Sequence, residues 1–320
     1  MSNEDIHTGD ITSGDITNPH DKLFRETWSD LENARSFLQN YLPDHVLQLI
    51  DLGTLEISKD SFIEKDLSDY YSDMLYKVTL TGGHPGFVYV LFEHKSYYDR
   101  YVHLQILEYM IKIWRLFLKQ QPEGRKQGLP IVIPLLIYHG RTPWPEDRAR
   151  LSSLLAGPVS ELSGYIPDFG FDLHDLTRFA DEDIKGTIMA RVVMLLFKHM
   201  SDPTLHERVP GILSLMKTLT EKGTGLQWIE AVIRYLFSTM DDITAEEIKE
   251  MVEQTLSAKE GDYIMTLAEK LRREGEIRGE IRGRQEGEIR GEIRGEIRGE
   301  IRGRQEGEIR GLKDAIELGM

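Results

Sequence analysis

Cysteine is absent from all 320 residues of the chain. Disulfides and thiolate metal sites are therefore excluded, and a reducing, cytoplasmic setting is expected. Long apolar runs are missing too. No stretch approaches the roughly 20 apolar residues that cross a bilayer, so no membrane partner is expected. The apolar-rich run from Leu129 to Tyr138 suits a buried strand instead. The N-terminus lacks a basic segment followed by an apolar one, the pattern of a secretory signal. Positive charge is scarce: 39 Lys and Arg stand against 54 Asp and Glu, a formal net charge of −15. A nucleic-acid partner needs Lys and Arg to neutralise phosphates, so the distribution decides. Between Lys95 and Arg150 the balance reverses, with ten Lys or Arg against five Asp or Glu. One basic face on an acidic protein can bind DNA, weakly and with strong salt dependence.

Residues 1–19 are polar, repeat Gly-Asp-Ile-Thr and show no apolar period, which predicts a disordered tail. Leu23, Phe24, Trp28, Leu31, Ala34, Phe37 and Leu38 then follow helical spacing, a single amphipathic helix ended by Asn40 and Pro43. Strands are expected at Leu55–Ile63, Tyr71–Leu80 and Phe87–Phe92, with a Gly/Pro turn cluster between the last two. A helix over about 102–120 follows, with Leu104, Leu107, Ile111, Trp114 and Leu118 as its apolar stripe. Ile131–Tyr138 reads as a strand buried on both faces. The order helix, three strands, helix, strand implies an α/β core with a mixed sheet flanked by helices. Beyond it the period is helical over Ile184–His199, Gly211–Thr220, Leu226–Met240 and Thr244–Leu271, with Thr244 and Glu247 spaced as a capping box. The organisation expected is a tail over 1–19, an α/β domain over 20–150, a helical region over 151–274 and a repeat tail over 275–320.

That repeat is Gly-Glu-Ile-Arg, with Gly-Arg-Gln-Glu variants at Gly283 and Gly303. Its nine Glu and nine Arg cancel. A period of four stacks like charges at i,i+4, and each Gly costs a helix about 0.8–1 kcal/mol. A disordered or frayed segment is one expectation. A helix that self-associates along its Ile stripe is the other, and would make the protein a homo-oligomer through the helical region and the tail.

Chemistry concentrates at Glu93-His94-Lys95, directly after the most β-like segment. Residues two apart share a strand face, so Glu93 and Lys95 project together. Asp73 lies on the preceding strand, joined by a short turn, so the two carboxylates fall near each other. Paired carboxylates suit Mg²⁺, with Ca²⁺ or Mn²⁺ as alternatives. Such an ion polarises a phosphodiester and lowers the pKa of a bound water, which Lys95 would orient or deprotonate while offsetting charge at phosphorus. Gln105 stands one turn into the next helix and shares a polar face with Glu108, Lys112, Arg115 and Lys119, a path for DNA phosphates. A carboxylate and a lysine two apart are by themselves more often a solvated pair; the strand and helix order supplies their context.

Asp73, Glu93-x-Lys95 and Gln105 in this order resemble the PD-(D/E)XK nuclease superfamily. The wider wording resembles the bacterial recombination-promoting nuclease (Rpn) family: His20-Asp21-Lys22-Leu23-Phe24-Arg25, Ser72-Asp73-Met74-Leu75-Tyr76, Val90-Leu91-Phe92-Glu93-His94-Lys95-Ser96 and Pro134-Leu135-Leu136-Ile137-Tyr138-His139-Gly140. The resemblance covers about 20–240. It implies a restriction-endonuclease-like core and a metal-dependent DNA endonuclease that promotes recombination. It implies metal ligands at Asp73, Glu93 and the backbone carbonyl of His94, with Lys95 catalytic and Gln105 accessory. It also implies an acidic residue on the first helix, either Asp21 or Glu26. No motif supports a transposase.

Other residues read as structural. The His94 side chain points to the opposite strand face. His139 reads as a turn residue, Trp144 between Pro143 and Pro145 as a loop anchor, and Asp168 and Asp172 as parts of a solvated loop. The ten His show no zinc spacing, and neither a phosphate-binding P-loop nor a serine-nucleophile motif is present. The competing expectation is a non-catalytic, oligomeric interaction protein that retains the nuclease fold.

Overall fold

A computed structural model describes residues 18–58, 74–93, 98–120, 128–145, 150–221, 225–240 and 243–317, without the side chains of 91–93 and of several helix positions near 220 and in the tail. Helix α1 (Pro19–Trp28) starts where Asn18 Oδ1 accepts the His20 amide at 3.0 Å, with Pro19 at the first helical position. The single helix expected to run to Leu38 is two. Asp30 caps a second, α2 (Leu31–Tyr41), accepting from the amides of Glu32 at 2.8 Å and Asn33 at 3.2 Å. Apolar spacing continues through the break, whereas Ser29-Asp30 offers the backbone a local alternative to helix. Phe24 stacks on Trp28 at 4.8 Å, and Phe37 meets Trp28 edge-on at 5.7 Å. A single turn, α3 (Asp44–Leu47), leads into the sheet.

Five strands lie in chain order: β1 (Ile50–Ile57), β2 (Met74–Leu80), β3 (His84–Glu93), β4 (Ile131–Tyr138) and β5 (Asp172–Asp175). The β1–β2 and β2–β3 junctions are antiparallel, and β3–β4 and β4–β5 are parallel. This is the expected mixed α/β sheet. The first strand begins five residues earlier than its apolar period suggested, and 59–63 and 71–73 lie outside the described residues. The β2–β3 turn is Thr81-Gly82-Gly83, with φ of +81° and +78° at the glycines, a region that side chains disfavour. Helix α4 (Val102–Gln120) makes the crossover to β4, whose last five residues are buried between parallel neighbours.

Two features correct the sequence reading. Asp172 does not sit in a solvated loop; it opens β5, paired with Leu135. Its carboxyl is half-buried, and burial pushes its pKa up. Nor does α4 bury the expected stripe. Val102, Ile106, Tyr109, Met110, Ile113 and Phe117 face the core, while Leu104 is 52% and Ile111 38% exposed. Both sets have helical spacing, and the set carrying Tyr109 and Phe117 fills the groove beside Tyr89, Leu136 and Tyr138.

The chain divides into two compact units, 1–262 and 263–320. In the first, α5 (Ile188–His199), α6 (Leu205–Ser214), α7 (Lys217–Glu221), α8 (Leu226–Thr239) and α9 (Ala245–Thr255) follow the sheet, and α1 packs on α5 and α8. The α6 helix starts six residues before the expected Gly211. Thr244 and Glu247 form the reciprocal capping box expected of them. The helix expected to run from Thr244 to Leu271 breaks at Leu256, and α10 (Ala258–Glu317) begins beyond it.

The repeat thus lies in a helix. Its two variants relieve the like-charge stacking of the regular period. They move Arg to the second place, and Glu280–Arg284, Glu286–Arg290, Arg302–Glu306 and Arg304–Glu308 pair at i,i+4. Each exposed pair contributes about 0.3–0.5 kcal/mol.

His174 of β5 is buried edge-on to Phe37 at 5.5 Å and Tyr41 at 5.2 Å, and burial holds its pKa down at about 4. The unfolded chain takes up this proton near pH 6.5 and the folded chain only near pH 4. Stability is therefore fully present above about pH 6.5 and falls as pH drops toward 4, by at most about 3 kcal/mol from this group. Urea midpoints at pH 7 and 4.5 test this. His174→Gln should lose less stability between them than the wild type, and equal losses would contradict it.

Candidate functional site

Glu93 closes β3 and pairs with Tyr138, the last residue of β4. The parallel pairing places the carboxyl ends of β3, β4 and β5 along one edge, the edge at which open α/β sheets bind ligands. Met74, the first residue of β2, pairs with Val90, three residues before Glu93. Asp73 directly precedes Met74. Asp73, His94 and Lys95 lie outside the described residues, as does the Glu93 side chain. The structure thus fixes the backbone at Glu93.

Around this edge the described residues are informative. His139 follows Tyr138 and is buried. Its ring stacks on Phe197 at 5.3 Å and lies 6.1 Å from the ring of His20. The N-terminal turn of α1, with His20 and Asp21, therefore reaches the same end of the sheet as Glu93. His20 Nδ1 lies 2.9 Å from the Tyr235 hydroxyl, which is also 3.1 Å from Met200 Sδ. Burial raises the Tyr235 pKa far above its ordinary value. The two acidic candidates on α1 separate: Glu26 forms an ion pair with Arg234 at 3.2 Å, whereas Asp21 sits beside His20 with Oδ1 buried. Sequence spacing gave no sign of the His20–His139 proximity, which joins residues 119 positions apart.

Gln105 is half-buried on the first turns of α4, and its Nε2 is buried without a hydrogen-bond partner among the described residues. A buried amide left so costs about 1–3 kcal/mol and calls for an acceptor. Further along α4, Lys112 is held by Glu108 at 3.2 Å and lies over the Tyr109 ring at 5.1 Å. Arg115 and Lys119 are exposed. Past β4, Trp144 is the expected loop anchor, 1% exposed, with its ring 5.1 Å from Tyr138 and 4.7 Å from Tyr98. With Phe171, Leu173, Asp175, Arg178 and Phe179 it lines a cleft of about 440 Å³. No three His, Asp or Glu among the described residues form a metal-binding group.

Residues 18–227 match the family model described as "Putative transposase, YhgA-like". The chain belongs to this YhgA-like, or Rpn, family. The YhgA-like chain is 31% identical to recombination-promoting nuclease RpnA of Escherichia coli K12, over 81% of its own length and 85% of the relative. It is 28% identical to recombination-promoting nuclease RpnD of Escherichia coli O157:H7, over 82% of itself and 96% of the relative. A relative named as inactive, RpnE of Escherichia coli K12, is also 31% identical, over 83% and 85%. No solved structure matches the YhgA-like chain. No helix among its described residues is long and apolar enough to cross a membrane.

Proposed function

We propose that this YhgA-like chain is a metal-dependent DNA endonuclease with a PD-(D/E)XK core, acting in recombination. The observation that carries the reading is the edge where β3 ends at Glu93 beside β4. Asp73 precedes the antiparallel neighbour, Lys95 follows two residues on, and α4 supplies a buried amide in need of an acceptor. The order α1, α2, β1, β2, β3, α4, β4 is the context the Glu93-x-Lys95 motif requires, and relatives named as nucleases match over most of the chain.

Asp73 and Glu93 are the metal ligands, with the His94 carbonyl as a third. Their hard oxygens suit Mg²⁺, or Mn²⁺ or Ca²⁺ in its place. When bound, the ion polarises the scissile phosphate and lowers the pKa of water. Lys95 holds a non-bridging phosphate oxygen and offsets the charge that grows there. Gln105 Nε2 donates to a phosphate oxygen or to a ligating carboxylate, which would satisfy the orphaned amide. Asp21, which neighbours His20 at this end of the sheet, is the first-helix carboxylate. Lys112 and Lys119 guide the DNA backbone past the edge.

The test is purified protein with supercoiled plasmid in Mg²⁺, Mn²⁺ or Ca²⁺ against EDTA. Nicked or linear product in a metal lane and none in EDTA is the expected result. Intact plasmid in every lane would overturn the reading. It would favour the second one, a non-catalytic interaction protein on the same fold, which the equally similar RpnE keeps in play.

A further inference from the structure

Helix α4 carries an apolar stripe of which only Trp114 packs against the core. Leu104, Leu107, Ile111, Trp114 and Leu118 recur at steps of three and four residues, the a and d spacing of a heptad. Leu104 is 52% and Ile111 38% exposed, and the other three are half-buried. The stripe continues off the helix. Trp114 Nε1 donates to Pro130 O at 2.9 Å, and the neighbours of Pro130, Leu129 and Ile131, are 50% and 60% exposed. A contiguous apolar patch of this kind on a surface helix marks an interaction site.

We propose that this stripe is a homodimer interface, in which two copies of the chain pair α4 against α4 antiparallel about Ile111. The charges beside the stripe select both the partner and its direction. Glu108 and Arg115 occupy the same heptad position, one turn-pair apart, flanking the stripe on the solvent side. In an antiparallel pair centred on Ile111, Leu104 meets Leu118, Leu107 meets Trp114, and Glu108 of each copy meets Arg115 of the other, twice by symmetry. A parallel pair would set Glu108 beside Glu108 and Arg115 beside Arg115. Arg115 makes no ion pair among the described residues, and the Glu108 side chain is 68% exposed beyond its contact with Lys112. Arg115 lies on the stripe side of the exposed face, at 100° per residue about 40° from Ile111, while Lys112 and Lys119 are turned farther away. The dimer therefore leaves Lys112 and Lys119 open. It does not depend on the nuclease reading.

The cysteine-free sequence permits a direct test in the full chain. Ile111→Cys places two thiols together on the symmetry axis, within the 4.4–6.8 Å Cα separation a disulfide needs. Leu104→Cys places its own two copies about 21 Å apart, at 1.5 Å per residue over fourteen residues. Under mild oxidation the first variant should run as a covalent dimer on a non-reducing gel, and the second should stay monomeric. Glu108→Cys combined with Arg115→Cys should also crosslink. Crosslink position is the readout because association through any other part of the chain would not reproduce this pattern. An Ile111→Cys protein that stays monomeric while its thiol reacts with maleimide would overturn the proposal. So would equal crosslinking at Leu104 and Ile111. As a second variant set, Glu108→Arg should abolish the Ile111→Cys crosslink, and adding Arg115→Glu should restore it; a crosslink indifferent to both would overturn the antiparallel register.

Discussion

Lys95→Ala is expected to lower metal-dependent plasmid cleavage by about 10²–10³-fold, the loss typical when one preorganised charge is removed from a developing anion. Lys95 follows the end of β3 by two residues, and β3 is held on both sides: seven residue pairs join it to β2, from Met74–Val90 to Leu80–His84, and eight join it to β4. Glu93→Ala should fall at least as far, because on the proposed reading it removes a metal ligand as well as a charge. The two variants separate in one respect. Raising Mn²⁺ should recover part of the Glu93→Ala loss and none of the Lys95→Ala loss. Circular dichroism and the melting temperature should match the wild type in both. A Lys95→Ala protein that cuts within about twofold of wild type would remove the site from consideration and leave the fold description intact.

Some of this architecture was legible in the residues and some was not, for identifiable reasons. A strand buried on both faces must be apolar throughout, so Ile131–Tyr138 is read off to the residue. The span of α4 is equally plain, because Val102–Gln120 has helical period and stops before Pro122. Its buried face was not plain. Two apolar stripes share the helix, and only the shape of the sheet decides that Ile106, Ile113 and Phe117 go inward. The break at Ser29-Asp30 was hidden because apolar spacing runs through it, although Asp is a strong capping residue. Strand β5 was hidden for the opposite reason: Asp172, His174 and Asp175 are polar, and the last two are buried against tertiary partners. The site divides in the same way. Glu93 and Lys95 are visible as a pair in sequence, whereas the approach of His20 to His139 and the Glu26–Arg234 ion pair are products of how α1 packs.

Asp175→Ala is expected to destabilise the 1–262 unit by about 2–4 kcal/mol, for the same reason that β5 is invisible to a hydrophobic pattern. The Asp175 carboxylate is 3% exposed. One oxygen accepts from Trp144 N at 2.8 Å and Arg178 Nε at 3.1 Å. The other accepts from Thr177 N at 3.0 Å and Thr177 Oγ1 at 2.7 Å. Arg178 completes the ring by donating from Nη2 to Trp144 O at 2.6 Å. Truncation strands the Trp144 amide, at about 1–3 kcal/mol, and removes the partner of a guanidinium. The Arg178 side chain is 41% exposed and partly rehydrates, so its share is discounted toward about 1 kcal/mol. For a unit of this size the sum corresponds to a fall of about 10 °C in melting temperature. Asp175→Asn keeps one acceptor oxygen and turns an amide N–H₂ toward either Arg178 or Thr177, so it should lose roughly half as much. The consequence reaches the sheet edge. Trp144 is the surface against which Tyr98 rests, three residues after Lys95, so the Asn variant should cut plasmid more slowly at a temperature where it remains folded, with Lys95 itself intact. An alanine variant that melts within about 2 °C of wild type would mean that the buried carboxylate holds nothing in place.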